Sequence, residues 1–313
     1  MRAVRAVDGS PHVVDVAPPE PPPGWVLVEV AATGICGSDH HLIDMGVPVT
    51  LGHEIAGRDE SGAAVAVQPL DYCGVCRFCQ DGRADLCTDL SGVLGVAVDG
   101  GLAPLVAVPA GGVVPLAEHL EPEVACLVEP VAVAMHAVNR ASIEPASRVL
   151  VIGGGPIGLA SAVIAAEGGA TVDLSARHGH QRAAAERLGI DGAVGADYDV
   201  VIEAAGSESA LEEAIVRSRP GATVVIPGVY WQALTLSQPV TWLMKQVQLV
   251  PAMYYGHHHG RRETDLAADL LAARPDLIDT FITHRFGLED AAEAFRVSAD
   301  RAGGAIKVVI DPR

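Results

Sequence analysis

The run Val149-Leu-Val-Ile-Gly153-Gly-Gly155-Pro-Ile-Gly158 constrains this chain more than any other. A short apolar segment leads into glycines spaced G-x-G-x-x-G, and an apolar helix-compatible stretch follows. In that pattern Gly153 permits a tight turn, Gly155 lets backbone approach a pyrophosphate, and Gly158 lets the next helix pack on the strand. Pro156 and Ile157 complete the turn, and the N-terminus of the helix faces the phosphates. Gly153, Gly155, Pro156, Ile157 and Gly158 are therefore candidate contacts to a dinucleotide cofactor.

Strands and helices alternate around this turn. Strands are predicted at 148–152, 171–175, 199–203 and 222–226, with an edge strand at 248–252, and helices at 158–168 and 181–188. That alternation argues for an α/β unit with a parallel, doubly wound sheet. The first third reads differently, as short strands such as 26–30 and 63–67 separated by glycines, with a Pro-rich connection at 18–23. Residues 121–140 are helix-compatible. Two amphipathic helices and a closing strand at 306–310 are expected after Gly256. The 313 residues suit two domains at about 100–200 residues each.

The ribose end of the cofactor site points to NADP. NAD-binding units place an acidic residue about 20 positions beyond the glycine turn, at the end of the second strand. Here that position falls on Ala176 or Arg177, and Asp173 comes too early. Ser175, Arg177 and His178 are candidates for a 2′-phosphate, so NADP is expected over NAD.

A formal charge of −18 removes the basic stripe that nucleic-acid binding or an anionic membrane surface requires. No stretch approaches the roughly 20 apolar residues of a membrane span, and the N-terminus lacks a signal-peptide core. A cytoplasmic protein with reduced thiols is the expectation. Four of the six cysteines fall at 73, 76, 79 and 87. In a reducing compartment Cys73, Cys76, Cys79 and Cys87 suit one closed, tetrahedral structural zinc, holding a loop with little core of its own.

A second cluster suits an open metal site. Cys36 in Gly34-Ile-Cys-Gly-Ser38-Asp39-His40-His41 and His53 in Gly52-His-Glu54 each lie in a glycine-flanked turn. A catalytic zinc needs three protein ligands and one exchangeable position. The third ligand is Glu54 or Glu129, the latter a lone carboxylate in an apolar helical stretch. Cys126 reads as a core cysteine.

With these motifs, Val128-Glu-Pro130, Asp199-Val-Val-Ile-Glu203 and Ile282-Thr-His-Arg-Phe286, the chain resembles zinc-dependent medium-chain alcohol dehydrogenases of the polyol/threonine dehydrogenase-like branch. The resemblance covers nearly the whole chain. It implies a GroES-like β-rich catalytic domain (1–130 and 255–313) and a Rossmann domain (131–254), with catalytic zinc and substrate in the cleft between them. It implies Cys36, His53 and Glu129 as zinc ligands, with Glu54 beside the zinc as ligand or neighbour. Ser38 would contact the substrate oxygen, His41 would relay the proton, and Asp39 would orient His53. The implied reaction is hydride transfer between NADP(H) and an alcohol, polyol or the corresponding carbonyl compound, with two zincs per chain in a homodimer or homotetramer. The competing readings are a zinc-free quinone or enoyl reductase and a non-catalytic NADP-binding redox sensor.

The chain departs from that family in a short link between Met45 and Gly52, a trimmed hairpin at 58–62, and an abbreviated segment at 188–199. His257-His-His259 reads as a loop rather than a metal tract. Trp242, Met244 and Lys245 stand where a loop could meet the cofactor or a subunit interface, and Lys307 could reach a phosphate.

Overall fold

The computed structural model describes residues 1–190 and 192–313. The chain divides into two compact units, Met1–Glu129 with Gly256–Arg313, and Pro130–Tyr255.

The first unit is built on a seven-stranded sheet. Its central strand, Trp25–Gly34, pairs antiparallel with Glu54–Asp59, Leu105–Pro109 and Lys307–Asp311. Flanked on both sides, its second half is almost fully buried. Ile282–Gly287 joins Lys307–Asp311 in parallel and closes one edge. Ala64–Val67 and Val113–Pro115 extend the other. Val28, Val30, Ile55, Val65, Val67, Val106 and Val108 fill one core. A second core packs helix Gly37–Met45, through Leu42 and Ile43, against Phe295 of helix Ala291–Ala299 and Ile310 of the sheet.

The second unit has five parallel strands in the spatial order Thr171–Ser175, Arg148–Ile152, Tyr198–Glu203, Ser218–Ile226, Gln248–Pro251. The chain reverses direction across the sheet between Arg148–Ile152 and Tyr198–Glu203. In open α/β sheets that switch point, at the carboxyl ends of the strands, is where ligands bind. Helix Pro156–Glu167 is apolar on nearly every side, and most of it is buried. Helix Glu208–Arg217 is capped by Ser207, whose Oγ accepts the Ala210 N–H at 3.3 Å. The abbreviated segment at 188–199 forms one parallel bridge, Asp173 to Gly192, and among its described residues no strand before Tyr198.

Two expectations are corrected. The helix expected across 121–140 begins at Val128 after a single 3-10 turn, Ala125–Leu127. Pro122 disfavours helical backbone at Glu121, and Pro130 falls in the first turn, where its missing N–H leaves nothing unpaired. After Gly256 there are three helices, not two: Glu263–Ala273, Pro275–Phe281 and Ala291–Ala299. Pro275 splits what reads as one amphipathic run, since it fits only at a helix start. Among the described residues, no helix is long and apolar enough to cross a membrane.

Candidate active site

The glycine turn occupies the switch point. Gly153 has φ +116°, a backbone open to few residues but glycine, and a Cβ there would sit 2.9 Å from the backbone of Ala204, just past strand Tyr198–Glu203. A Cβ on Gly158 would sit 1.9 Å from the Gly153 carbonyl oxygen, so the helix packs tightly on the turn. A Cβ on Gly155 would meet nothing within 4 Å, which leaves that side of the backbone open to a ligand. Each glycine of the motif thus has its own steric reason, and the open cradle at Gly155 fits a pyrophosphate. Pro156 and Ile157 open the helix behind it.

At the ribose corner, Arg177 is exposed and His178 half-buried at the start of helix Gly179–Arg187. The Ser175 hydroxyl donates to Glu213 at 3.1 Å. Asp173 is buried and accepts the Tyr198 hydroxyl at 2.6 Å. Glu203, buried at the end of its strand, accepts the N–H groups of Ala205 and Gly206 at 2.9 Å and the Tyr230 hydroxyl at 2.5 Å. Burial raises the Glu203 pKa despite those donors.

In the first unit, Cys36, His53 and Glu54 bring their ligating atoms within 4.8 Å of one another. Strand pairing sets this up, because Gly34 lies opposite Glu54. A side chain at 34 could not fit, since its Cβ would lie 2.0 Å from Glu54 Oε2. Cys36 caps the helix that carries Ser38, Asp39 and His41. Asp39 is fully buried, and its Oδ2 accepts the Cys36 N–H at 2.8 Å. Its Oδ1 lies 3.4 Å from His53 Nδ1. Ser38 Oγ lies 3.5 Å from His53 Nε2. Burial opposes a charged His53, but the Asp39 carboxylate and the Cys36 thiol hold its pKa well above the usual histidine range.

Glu54 carries a second constraint. Lys307 Nζ donates to both of its oxygens, at 2.6 and 2.7 Å, and to the Ile35 carbonyl at 3.1 Å. Burial works against the lysine charge, yet Glu54 keeps the Lys307 pKa above its ordinary value. Lys307 is therefore not placed to bind a phosphate, which corrects the expectation from its sequence position. Glu129 is buried in the first turn of its helix and lies outside the three-residue group. Cys126 is fully buried, and burial pushes its thiol up to about 12, as suits a core cysteine. A thiol, an imidazole braced by a carboxylate and a nearby carboxylate form a donor set that fits zinc.

His41, one turn beyond Ser38, lines a groove of about 550 Å³ with His40, Asp44, Arg296 and Arg301. Cys73, Cys76, Cys79 and Cys87 form the other cluster within 4.8 Å, and all six cysteines are free thiols. Cys76 and Cys79 sulfurs are 3.5 Å apart, and those of Cys73 and Cys87 3.6 Å. A zinc tetrahedron with bonds of about 2.3 Å has sulfur–sulfur edges of about 3.8 Å, so the four nearly make one. Backbone N–H groups of Cys79 and Thr88 lower the Cys76 pKa, while burial raises that of Cys79. Only Ala84 is buried between Cys73 and Cys87, so the lobe has almost no core.

Other singled-out residues have structural roles. Lys245 Nζ donates to the carbonyls of Ile215, Val216 and Ser218, capping helix Glu208–Arg217. Trp242 Nε1 donates to the Val247 carbonyl. His257–His258 forms a two-residue strand paired with Arg261–Arg262, and His257 N donates to the Gly82 carbonyl at 2.8 Å.

Known proteins supply an independent comparison. Residues 22–118 match the alcohol dehydrogenase GroES-like domain family, and residues 122–311 match the glucose dehydrogenase C-terminus family. L-galactonate-5-dehydrogenase of Escherichia coli (strain K12) is 31% identical over 88% of this chain and 88% of its own. A Sinorhizobium meliloti 1021 protein solved bound to NADP superposes with a TM-score of 0.86 at 33% identity, over 99% of each chain. A structure from Escherichia coli CFT073 described as a short chain alcohol dehydrogenase, complexed with NADH, also has a TM-score of 0.86, at 26% identity and 99% of each chain.

Proposed function

Because this chain belongs to the zinc-type medium-chain alcohol dehydrogenase family, we propose that it transfers a hydride between NADP(H) and an alcohol or polyol, or the corresponding carbonyl compound. The observation that carries this reading is the convergence of Cys36, His53 and Glu54 within 4.8 Å, with His53 braced by Asp39. Cys36 and His53 would hold a catalytic zinc. Glu54 already shares both oxygens with Lys307. That favours Glu129 as the direct third ligand and Glu54 as the neighbouring charge. Cys73, Cys76, Cys79 and Cys87 would hold a structural zinc that cross-links their lobe.

A bound catalytic zinc supplies Lewis acidity toward the substrate oxygen, and a bound nicotinamide accepts or donates the hydride. The protein's own residues do the rest. Asp39 fixes the His53 ring, so Nε2 faces the ligand cluster. Ser38 Oγ, beside that nitrogen, exchanges a proton with the substrate oxygen. His41 lies on the same helical face three residues on and passes the proton outward. Gly153, Gly155, Pro156, Ile157 and Gly158 seat the pyrophosphate, and Arg177 and His178 flank the 2′-phosphate. The Ser175 hydroxyl donates its one proton to Glu213, so it would contribute to the 2′-phosphate only by giving up that bond. The polyol class draws on the relative that acts on L-galactonate, and the NADP preference on the ribose corner and the NADP-bound neighbour.

A homodimer or homotetramer is supported by an unburied helix, Pro239–Lys245, which leads into the edge strand Gln248–Pro251. Its Val240, Leu243 and Met244 side chains are 66–77% exposed.

Elemental analysis of dialysed protein, paired with polyol oxidation by NADP, tests the reading. About two zincs per chain with NADP-linked turnover are expected. A single zinc, lost when Cys73 is replaced, with no turnover after zinc reconstitution, would favour the zinc-free reductase.

A further inference from the structure

We propose that Arg182 reads the 2′-phosphate of NADP(H), using a guanidinium already fixed over the end of strand Thr171–Ser175. This rests on the NADP preference above and names the residue that enforces it. Arg182 is the fourth residue of helix Gly179–Arg187. Its Nη1 donates to the carbonyls of Ala176 at 2.8 Å and Arg177 at 3.0 Å. Those two residues occupy the position where an NAD-binding unit carries its ribose-binding carboxylate. A cation is tied to the main chain of the residues that would carry that anion.

The chemistry then discriminates. A ribose 2′-hydroxyl is best held by an acceptor, and a guanidinium has none. A 2′-phosphate offers only acceptor oxygens and negative charge. With Nη1 committed to the two carbonyls, Nε and Nη2 of Arg182 have no partner among the described residues, and the side chain is exposed. Planar donors held in place suit a phosphate and lose little side-chain freedom on binding.

The surroundings agree. In a chain of net charge −18, no acidic residue lies between Asp173 and Glu186, whereas Arg177, His178, His180 and Arg182 all do. The nearby acids are engaged, Asp173 with Tyr198 and Glu213 with Ser175. The His178 and His180 rings stack with centroids 5.6 Å apart, which steadies the corner. The corner also abuts the glycine turn: a Cβ on Gly154 would meet Gln181 Cβ at 2.5 Å and Ala176 Cβ at 2.9 Å. One ligand can therefore place its pyrophosphate at Gly155 and its 2′-phosphate at Arg182. Arg177 is exposed with a freer side chain, so it contributes attraction more than positioning.

Calorimetric titration of the full chain with adenosine 2′,5′-bisphosphate and with 5′-AMP tests this without turnover. Wild type should bind the bisphosphate at least about tenfold tighter than 5′-AMP. Arg182→Ala should lose about tenfold or more for the bisphosphate and under about twofold for 5′-AMP, the scale of a lost charge-assisted hydrogen bond. Arg182→Lys keeps the charge but not the fork and should recover only part of the loss. Arg177→Ala should lose less than Arg182→Ala. Equal losses for both ligands, or no loss for the bisphosphate, would overturn the role of Arg182. A wild type with no preference for the bisphosphate would instead overturn the NADP reading, and the proposal with it.

Discussion

The Lys307 ammonium bonds both carboxylate oxygens of Glu54, at 2.6 and 2.7 Å, with both side chains buried. A buried pair is costly to break from one side, because the remaining charge has no water to turn to. Lys307→Met is expected to destabilise the chain by about 3–5 kcal/mol in denaturant unfolding. Removing both charges with Lys307→Met and Glu54→Leu should recover much of that loss. A double variant no more stable than the single one would show that the pair is not the coupled unit described.

The same pair bears on the zinc ligands. Glu129→Ala is expected to lower the zinc content from about two to about one per chain and to remove turnover. Glu54→Gln should keep about two zincs under the proposed arrangement, in which Glu129 binds the metal and Glu54 stands beside it. Elemental analysis of both variants decides, and the opposite pattern would make Glu54 the direct ligand.

The glycine turn separates folding from binding. Gly158→Ala drives a methyl to 1.9 Å from the Gly153 oxygen, so it should lower stability by about 1–3 kcal/mol and weaken cofactor binding too. Gly155→Ala meets no protein atom within 4 Å and should leave the melting temperature nearly unchanged, yet weaken the cofactor by intruding on the pyrophosphate. Thermal melts and cofactor titrations of the two variants check the contrast.

How far the sequence can be read depends on the range of the interactions. Strands Arg148–Ile152 and Thr171–Ser175 match their expected bounds, because buried parallel strands announce themselves as short apolar runs between turns. The clustering of the four cysteines and the form of the glycine turn are legible because local spacing sets them. The split helix after Gly256 escapes the apolar pattern, although Pro275 is a signal for it. The role of Lys307 is hidden because its partner lies 253 residues away, across a strand pairing no local pattern reveals. Arg182 is equally hidden, because a helical arginine looks solvated until its carbonyl partners are seen.

Asp199 gives the acid limb of stability a testable source. It accepts the Arg148 N–H at 2.8 Å and Arg219 Nε at 2.6 Å, tying the starts of two neighbouring strands. The Arg148 N–H and then the Arg219 guanidinium lower its pKa below 3.8. The folded state thus binds fewer protons than the unfolded one in that window, and stability rises with pH across it. The contribution is present above about 3.8 and is lost as pH falls through the folded value. Asp199→Asn should therefore melt below wild type at pH 7, with the gap closing at strongly acid pH. A gap independent of pH would refute the assignment.

The exposed helix Pro239–Lys245 predicts where copies of the chain meet. Val240, Leu243 and Met244 present an apolar face, and the helix leads into strand Gln248–Pro251 at the edge of its sheet. An exposed apolar face next to a sheet edge is a combination that soluble proteins cover. Leu243→Asp with Met244→Asp places two charges on that face without touching the core, since both side chains are over 60% exposed. Sedimentation should show the wild type as a dimer or tetramer and the double variant shifted toward monomer, with little change in circular dichroism. An unchanged assembly in the double variant would place the subunit contact on another face.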